Sequence, residues 1–140
     1  MTPGASLLMP GCMPDSAMLA RLGKEDPVAA ITDEMMQERR KQAASYCLVI
    51  LKKAAGYGSE GSDKIIWEHG RRNISLQSDG LLPIVCPVAD DSDIAGIGIF
   101  TPDMGEVRRI MDGDPGVLAG VFTYELHSCR SFPGSALPPT

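Results

Sequence analysis

The stretch SDKIIWEHGRRNISLQSDG, Ser62 to Gly80, decides how the rest of the chain is read. From Asp63 to Ser78, Ile65, Ile66, His69, Asn73 and Leu76 recur at three- and four-residue steps, which predicts one amphipathic helix. Ser62 or Asp63 can cap its start. Asp79-Gly80 ends it, with glycine where a left-handed cap is favoured. One fragment inside it, WEHGRRN, is out of keeping. Glycine in a helix interior costs about 1 kcal/mol against alanine, and Gly70 directly follows His69.

Strands flank this helix. Tyr46-Cys-Leu-Val-Ile-Leu51 is a short apolar run that reads as a buried strand, and Gly56, Gly58 and Gly61 form the loop after it. Leu81 to Val88 reads as a second strand, with Pro83 and Pro87 marking an edge or a bulge. Ile94 to Thr101 is a third strand. Pro102-Asp103 opens a second helix with Val107, Ile110 and Met111 as its apolar stripe. Asp112-Gly-Asp-Pro-Gly116 breaks that helix, Val117 to Gly120 forms a turn, and Val121 to Cys129 is a fourth strand. The order is β-α-β-β-α-β, which predicts an α+β, ferredoxin-like fold with one antiparallel sheet and both helices on one face.

Alternation in the last strand sends Phe122, Tyr124 and Leu126 towards the helices and Val121, Thr123, Glu125 and His127 away from them. In the third strand Gly96 and Gly98 alternate with Ile97 and Ile99, so one face is nearly bare. A bare or mixed face predicts packing against a second sheet or a ligand, hence a homodimer or higher homo-oligomer joined sheet to sheet.

Before Ser45 the character changes. Residues 1–26, with Pro3, Gly4, Pro10, Gly11 and Pro14, read as an irregular arm. Residues 27–44 read as a helix, with Val28, Ile31, Met35 and Met36 at helical spacing and Pro27 in its first turn. The predicted organisation is an extension over 1–44, a domain over 45–133 and a tail over 134–140.

Composition removes several functions. The chain has 140 residues and a formal net charge of −5. That disfavours nucleic-acid binding, which needs a basic footprint. The four cysteines form no CxxC pair and the two histidines show no metal spacing near them, so no metal is expected; no phosphate-cradling or dinucleotide motif occurs, so no cofactor is expected either. No run approaches the length of a membrane helix, and the first residues lack a positive segment before an apolar one. A cytoplasmic protein with reduced thiols, no membrane partner and a small-molecule ligand is the expectation.

His69 is the residue with a chemical reading of its own. On a helix stripe it is either a core histidine bonded to a carbonyl or a general acid–base. The second role needs a carboxylate to fix its tautomer. Asp114, after the second helix, is the first candidate and Asp112 the second; both also suit turns. Arg71 and Arg72 suit a solvated face or a substrate carboxylate, with Arg72 the candidate binding residue. Cys86 is a small buried hydrophobe or a nucleophile near His69, and the second candidate substrate-binding residue.

Glu68-His69, Gly80-Leu-Leu82, Pro87, Ala95-Gly96, Asp114-Pro115, Ala119-Gly120 and the strand through Tyr124, in that order, resemble the YCII-related (YciI-like) family over roughly Ser45 to Pro133. The resemblance implies a dimeric α+β barrel and a catalytic pair at His69 and Asp114, in a pocket between helices and sheet. It implies cofactor-free lyase or isomerase chemistry, since related enzymes act on ring-cleavage and chlorinated-quinol metabolites. The chain departs from the pattern at Cys86 (a glycine in the family), Gly70 (leucine) and Gly116 (a large residue). The two glycines remove bulk beside the pair. A non-catalytic dimeric ligand-binding or regulatory module is the competing expectation.

Overall fold

The computed structural model describes residues 30–140. The expected arm over 1–26, and Pro27 and Val28 of the expected helix, lie outside the described residues. Helix α1 (Asp33–Lys41) is followed by β1 (Ala44–Lys53), α2 (Ser62–Ser78), β2 (Ile84–Pro87) and β3 (Ile94–Phe100). Then come α3 (Met104–Asp112), the single turn α4 (Pro115–Leu118) and β4 (Phe122–Ser131). The strands form one four-stranded sheet in the order β2-β3-β1-β4, and β3 runs antiparallel to both β1 and β2. The fold is α+β with an antiparallel sheet, and its strand order is compatible with a ferredoxin-like arrangement.

Residues Ser45–Cys129 make one compact unit; α1 and the residues beyond Cys129 are grouped apart from it. In that second group Arg39 stacks over the Phe132 ring at 4.1 Å, and Arg130 donates to the Ala43 carbonyl at 3.2 Å. Helix α1 starts later than expected. Thr32 accepts a hydrogen bond from the Met35 amide and caps it, the side-chain capping that favours threonine at a helix start. None of its residues is buried; Met35 and Arg39 are half-buried on one stripe while Met36 is exposed, so only part of the expected apolar face is covered.

The core of the larger unit follows from alternation. Cys47, Val49 and Leu51 of β1 are buried, as is Phe100 of β3, against Val107, Ile110 and Met111 of α3 and Phe122 of β4. Burying each large side chain of this kind contributes about 1.5–3 kcal/mol. Burial also pushes the Cys47 thiol above its ordinary value. Register places Val49 beside Gly98 and Leu51 beside Gly96, so the bare glycine face turns towards the helices. A Cβ on Gly98 would come within 2.9 Å of Leu82 Cδ1; the missing side chain admits Leu82 to the core.

Three local expectations are corrected. The N-cap of α2 is Gly61 at φ 83°, with no side-chain cap, and Ser62 is instead buried as the first helical residue. The second strand starts at Ile84, because the Leu81 and Leu82 amides both turn back to the Leu76 carbonyl. The bare glycine face does not form the outer surface of the sheet. There the cross-strand partners Leu48 and Ile99, and Ile50 and Ile97, stand side by side instead. Pro87 costs no ladder bond, since β2 is an edge strand. One irregularity lies between Leu51 and Lys52: Leu51 pairs with Gly96 but Lys52 with Ile94, leaving Ala95 as an extra residue in β3.

Candidate functional site

The face of α2 turned towards the sheet is not wholly packed. Ile66, His69, Gly70, Asn73, Ile74 and Gln77 wall a cavity of about 450 Å³. Val49 and Leu51 of β1, Val85 of β2, Gly96 and Gly98 of β3, and Phe122 of β4 form other parts of its lining. The volume falls within the range of about 300–1,000 Å³ common for small-molecule pockets.

His69 is held on three sides. Its Nδ1 lies 2.8 Å from Asp114 Oδ1, its Nε2 lies 3.2 Å from the Asn73 side-chain nitrogen, and its ring packs against Phe122 at 4.9 Å between centroids. The roles follow from the partners. A carboxylate only accepts, so Nδ1 carries the proton and donates to Asp114. The Asn73 amide donates, so Nε2 accepts from it. A turned amide would offer its oxygen instead, which suits a protonated Nε2. Helix spacing makes the Asn73 contact possible, because residues four apart share a face.

Asp114 divides its two oxygens. Oδ2 accepts from the Gly116 amide at 2.9 Å and the Val117 amide at 3.2 Å, capping α4. Oδ1 faces His69 and, at 3.7 Å, Nη1 of Arg72. The side chain is 1% exposed. A carboxylate this deep requires opposite charge or hydrogen-bond donors around it, and it has both. Arg72 Nη1 is itself buried without a hydrogen-bond partner among the described residues, which leaves Asp114 as its electrostatic neighbour.

The structure thus brings His69 and Asp114 together. It places Arg72 behind Asp114, outside the cavity lining, and Cys86, on β2, in the lining. Arg71 pairs with Glu68 on the exposed side of α2. Asp112 does not serve His69; it accepts from the Tyr124 hydroxyl. Burial first, and then this carboxylate, hold the Tyr124 phenol above its ordinary value. His127, expected on the outer sheet face, contacts Glu125 there at 3.1 Å. Among the described residues no three His, Cys, Asp or Glu side chains converge to hold a metal ion. No described helix is long and apolar enough to cross a membrane.

Sequence reasoning missed two residues of this site. Asn73 was legible as a member of the stripe, four residues after His69, but not as its hydrogen-bond partner. Phe122 was legible as helix-facing, but not as the ring that supports the imidazole. Gly116, expected to leave space, does not: a Cβ there would run into the Phe122 ring. The space is spent on bringing Phe122 close to the pair.

No protein-family model matches the chain, and no curated protein matches it.

Proposed function

We propose that the chain is a YCII-related protein that uses His69 and Asp114 for cofactor-independent proton transfer on a small organic acid or ring-derived metabolite. The observation that carries this reading is the 2.8 Å contact between His69 Nδ1 and the buried Asp114 carboxylate at the wall of a cavity. In the reaction His69 Nε2 takes a proton from a substrate carbon or hydroxyl. Asp114 stabilises the imidazolium without itself being protonated. The electron pair left on the substrate then expels a leaving group, an elimination, or recaptures the proton at another carbon, an isomerisation. Lactone-type substrates fit the same sequence of steps. The test is turnover of a panel of lactones and halogenated quinols. His69→Ala should abolish it while the far-ultraviolet circular dichroism stays unchanged; undiminished turnover would sink the proposal.

The same reading includes a homodimer in which two sheets face each other as an α+β barrel. Its support is the outer sheet face, where Leu48, Ile50 and Ile99 are half-buried and Ile97 is exposed. Sedimentation showing only monomer at micromolar concentration would remove this part. We place this chemistry in a cytoplasmic setting, where Cys47, Cys86 and Cys129, unpaired among the described residues, would stay reduced.

One observation favours a second reading, a non-catalytic dimeric module that binds a small ligand or acts in regulation. Both nitrogens of His69 are already engaged, Nε2 by Asn73. Saturable ligand binding with no turnover of any tested compound would select this reading over the enzyme.

A further inference from the structure

Gly70 lies within the 17-residue helix α2, where glycine is the poorest helix former after proline. The other glycines near the site have visible reasons. Gly61 and Gly80 have positive φ, and Gly98 and Gly116 have neighbours that a Cβ would strike. Gly70 has neither reason. It is not among the glycines of positive φ, and a Cβ built on it meets nothing within 4 Å. What it does have is a place in the cavity wall, directly after His69 and one turn before Asn73 and Ile74. The fold does not need the missing side chain, but an occupant of the cavity would.

The walls say which kind of occupant. Polar side chains run along one helix stripe, His69, Asn73 and Gln77, each four residues from the next. Gln77 already donates its amide to the Pro83 carbonyl at 3.1 Å. The rest of the lining is largely aliphatic and aromatic, and none of the described lining residues is Lys, Arg, Asp or Glu. An ionised carboxylate or phosphate would lose its hydration there and find no cation, a costly transfer. A flat ring has its natural surface against the bare backbone of Gly70, with Phe122 nearby as an aromatic neighbour.

We infer that the cavity takes an uncharged, ring-bearing molecule with a hydroxyl group, and that Gly70 is the residue that admits its ring. The hydroxyl replaces the Asn73 amide at His69 Nε2, donating its hydrogen to that nitrogen. The freed amide then turns to the hydroxyl oxygen. This rests on the reading of the cavity beside His69 as the ligand site, and it selects ring-derived alcohols over organic acids as the substrate class.

The experiment titrates the isotope-labelled full chain with 2-naphthol, 2-naphthoate and inorganic phosphate at neutral pH. It follows the backbone amide of Gly70 and the side-chain amides of Asn73 and Gln77. Naphthol should shift all three signals saturably, with naphthoate about tenfold weaker or more and phosphate without effect. Gly70→Leu should weaken naphthol about tenfold or more. Gly70→Ala, a single added methyl, should weaken it less, and Gly105→Ala, on the exposed first turn of α3, should leave it unchanged. Equal naphthol affinity in wild type and Gly70→Leu, naphthoate binding as tightly as naphthol, or no naphthol binding to wild type would each overturn the inference. Because the readout is binding, it fails or stands separately from the proton-transfer proposal, which is decided by turnover in His69→Ala.

Discussion

Gly116 and Gly70 both lie close to His69, and both lack a side chain where a larger residue could be imagined, yet the two spaces have different fates. At Gly116 the chain closes up. The Phe122 ring moves into the space, packs on the imidazole, and leaves the Gly116 amide free to bond Asp114. At Gly70 nothing closes, and the backbone is exposed to the cavity. One end of the site is therefore rigid, built from α4, Phe122 and a buried carboxylate. The other is open. The contrast shows that a small residue beside a reactive group says nothing by itself about room for a ligand; what matters is whether another part of the chain can reach the space.

Breaking the rigid end should have the largest effect. Asp114→Ala leaves Arg72 and His69 facing an empty pocket and uncaps α4. Removing one member of a buried charged cluster costs about 3–5 kcal/mol, read as a lower urea midpoint at unchanged slope. Asp114→Asn keeps an oxygen for the α4 amides and should lose less. Equal stability of the Ala variant would mean that Asp114 does not anchor this end. Next, Gly116→Ala forces a methyl against Phe122 and should cost about 1–3 kcal/mol by overpacking, with loss of the Phe122–His69 ring contact visible in nuclear Overhauser data. A neutral outcome would erase the distinction between the two glycines.

The open end should respond with the opposite sign. Gly70→Ala adds a methyl into free space and improves helix propensity, so stability should rise by about 1 kcal/mol, seen as a higher melting temperature. A fall would show that the space is not free. The smallest effect concerns pH. Tyr124, beside Asp112, has its phenol raised above the ordinary value of about 10. Its contribution to stability is fully present below pH of about 10 and is lost as pH rises through the higher folded value. Tyr124→Phe should therefore flatten the alkaline end of the stability–pH curve, and an unchanged curve would remove the phenol–carboxylate contact from the account.

How much of this was readable beforehand follows physical lines. The alternation of strands and helices was legible because period and Gly/Pro punctuation are local properties. The nearness of His69 and Asp114 was legible because a helix-facing stripe and the break after α3 meet in this topology. What was not legible depended on distant chain. The Leu81-Leu82 pair looks like strand until the Leu76 carbonyl claims both amides. Met36 looks like part of a covered stripe, but spacing alone cannot say what covers it. Gly116 looks empty until Phe122, on another element, fills it.

The extra residue in β3 has a consequence for how this site could change over time. Regular alternation would set Ile94 on the same face as Gly96. The bulge pairs Ile94 with Lys52 instead and lets the small Ala95 line the cavity. The width of the site near β3 is therefore written partly in the count of backbone units, not only in which side chains they carry. Loss of the single codon for Ala95 would restore the ladder, keep Ile94 opposite Lys52 and take the Ala95 side chain out of the cavity wall. A one-step deletion, without touching His69 or Asp114, would reshape the wall near β3 and so change what the cavity accepts.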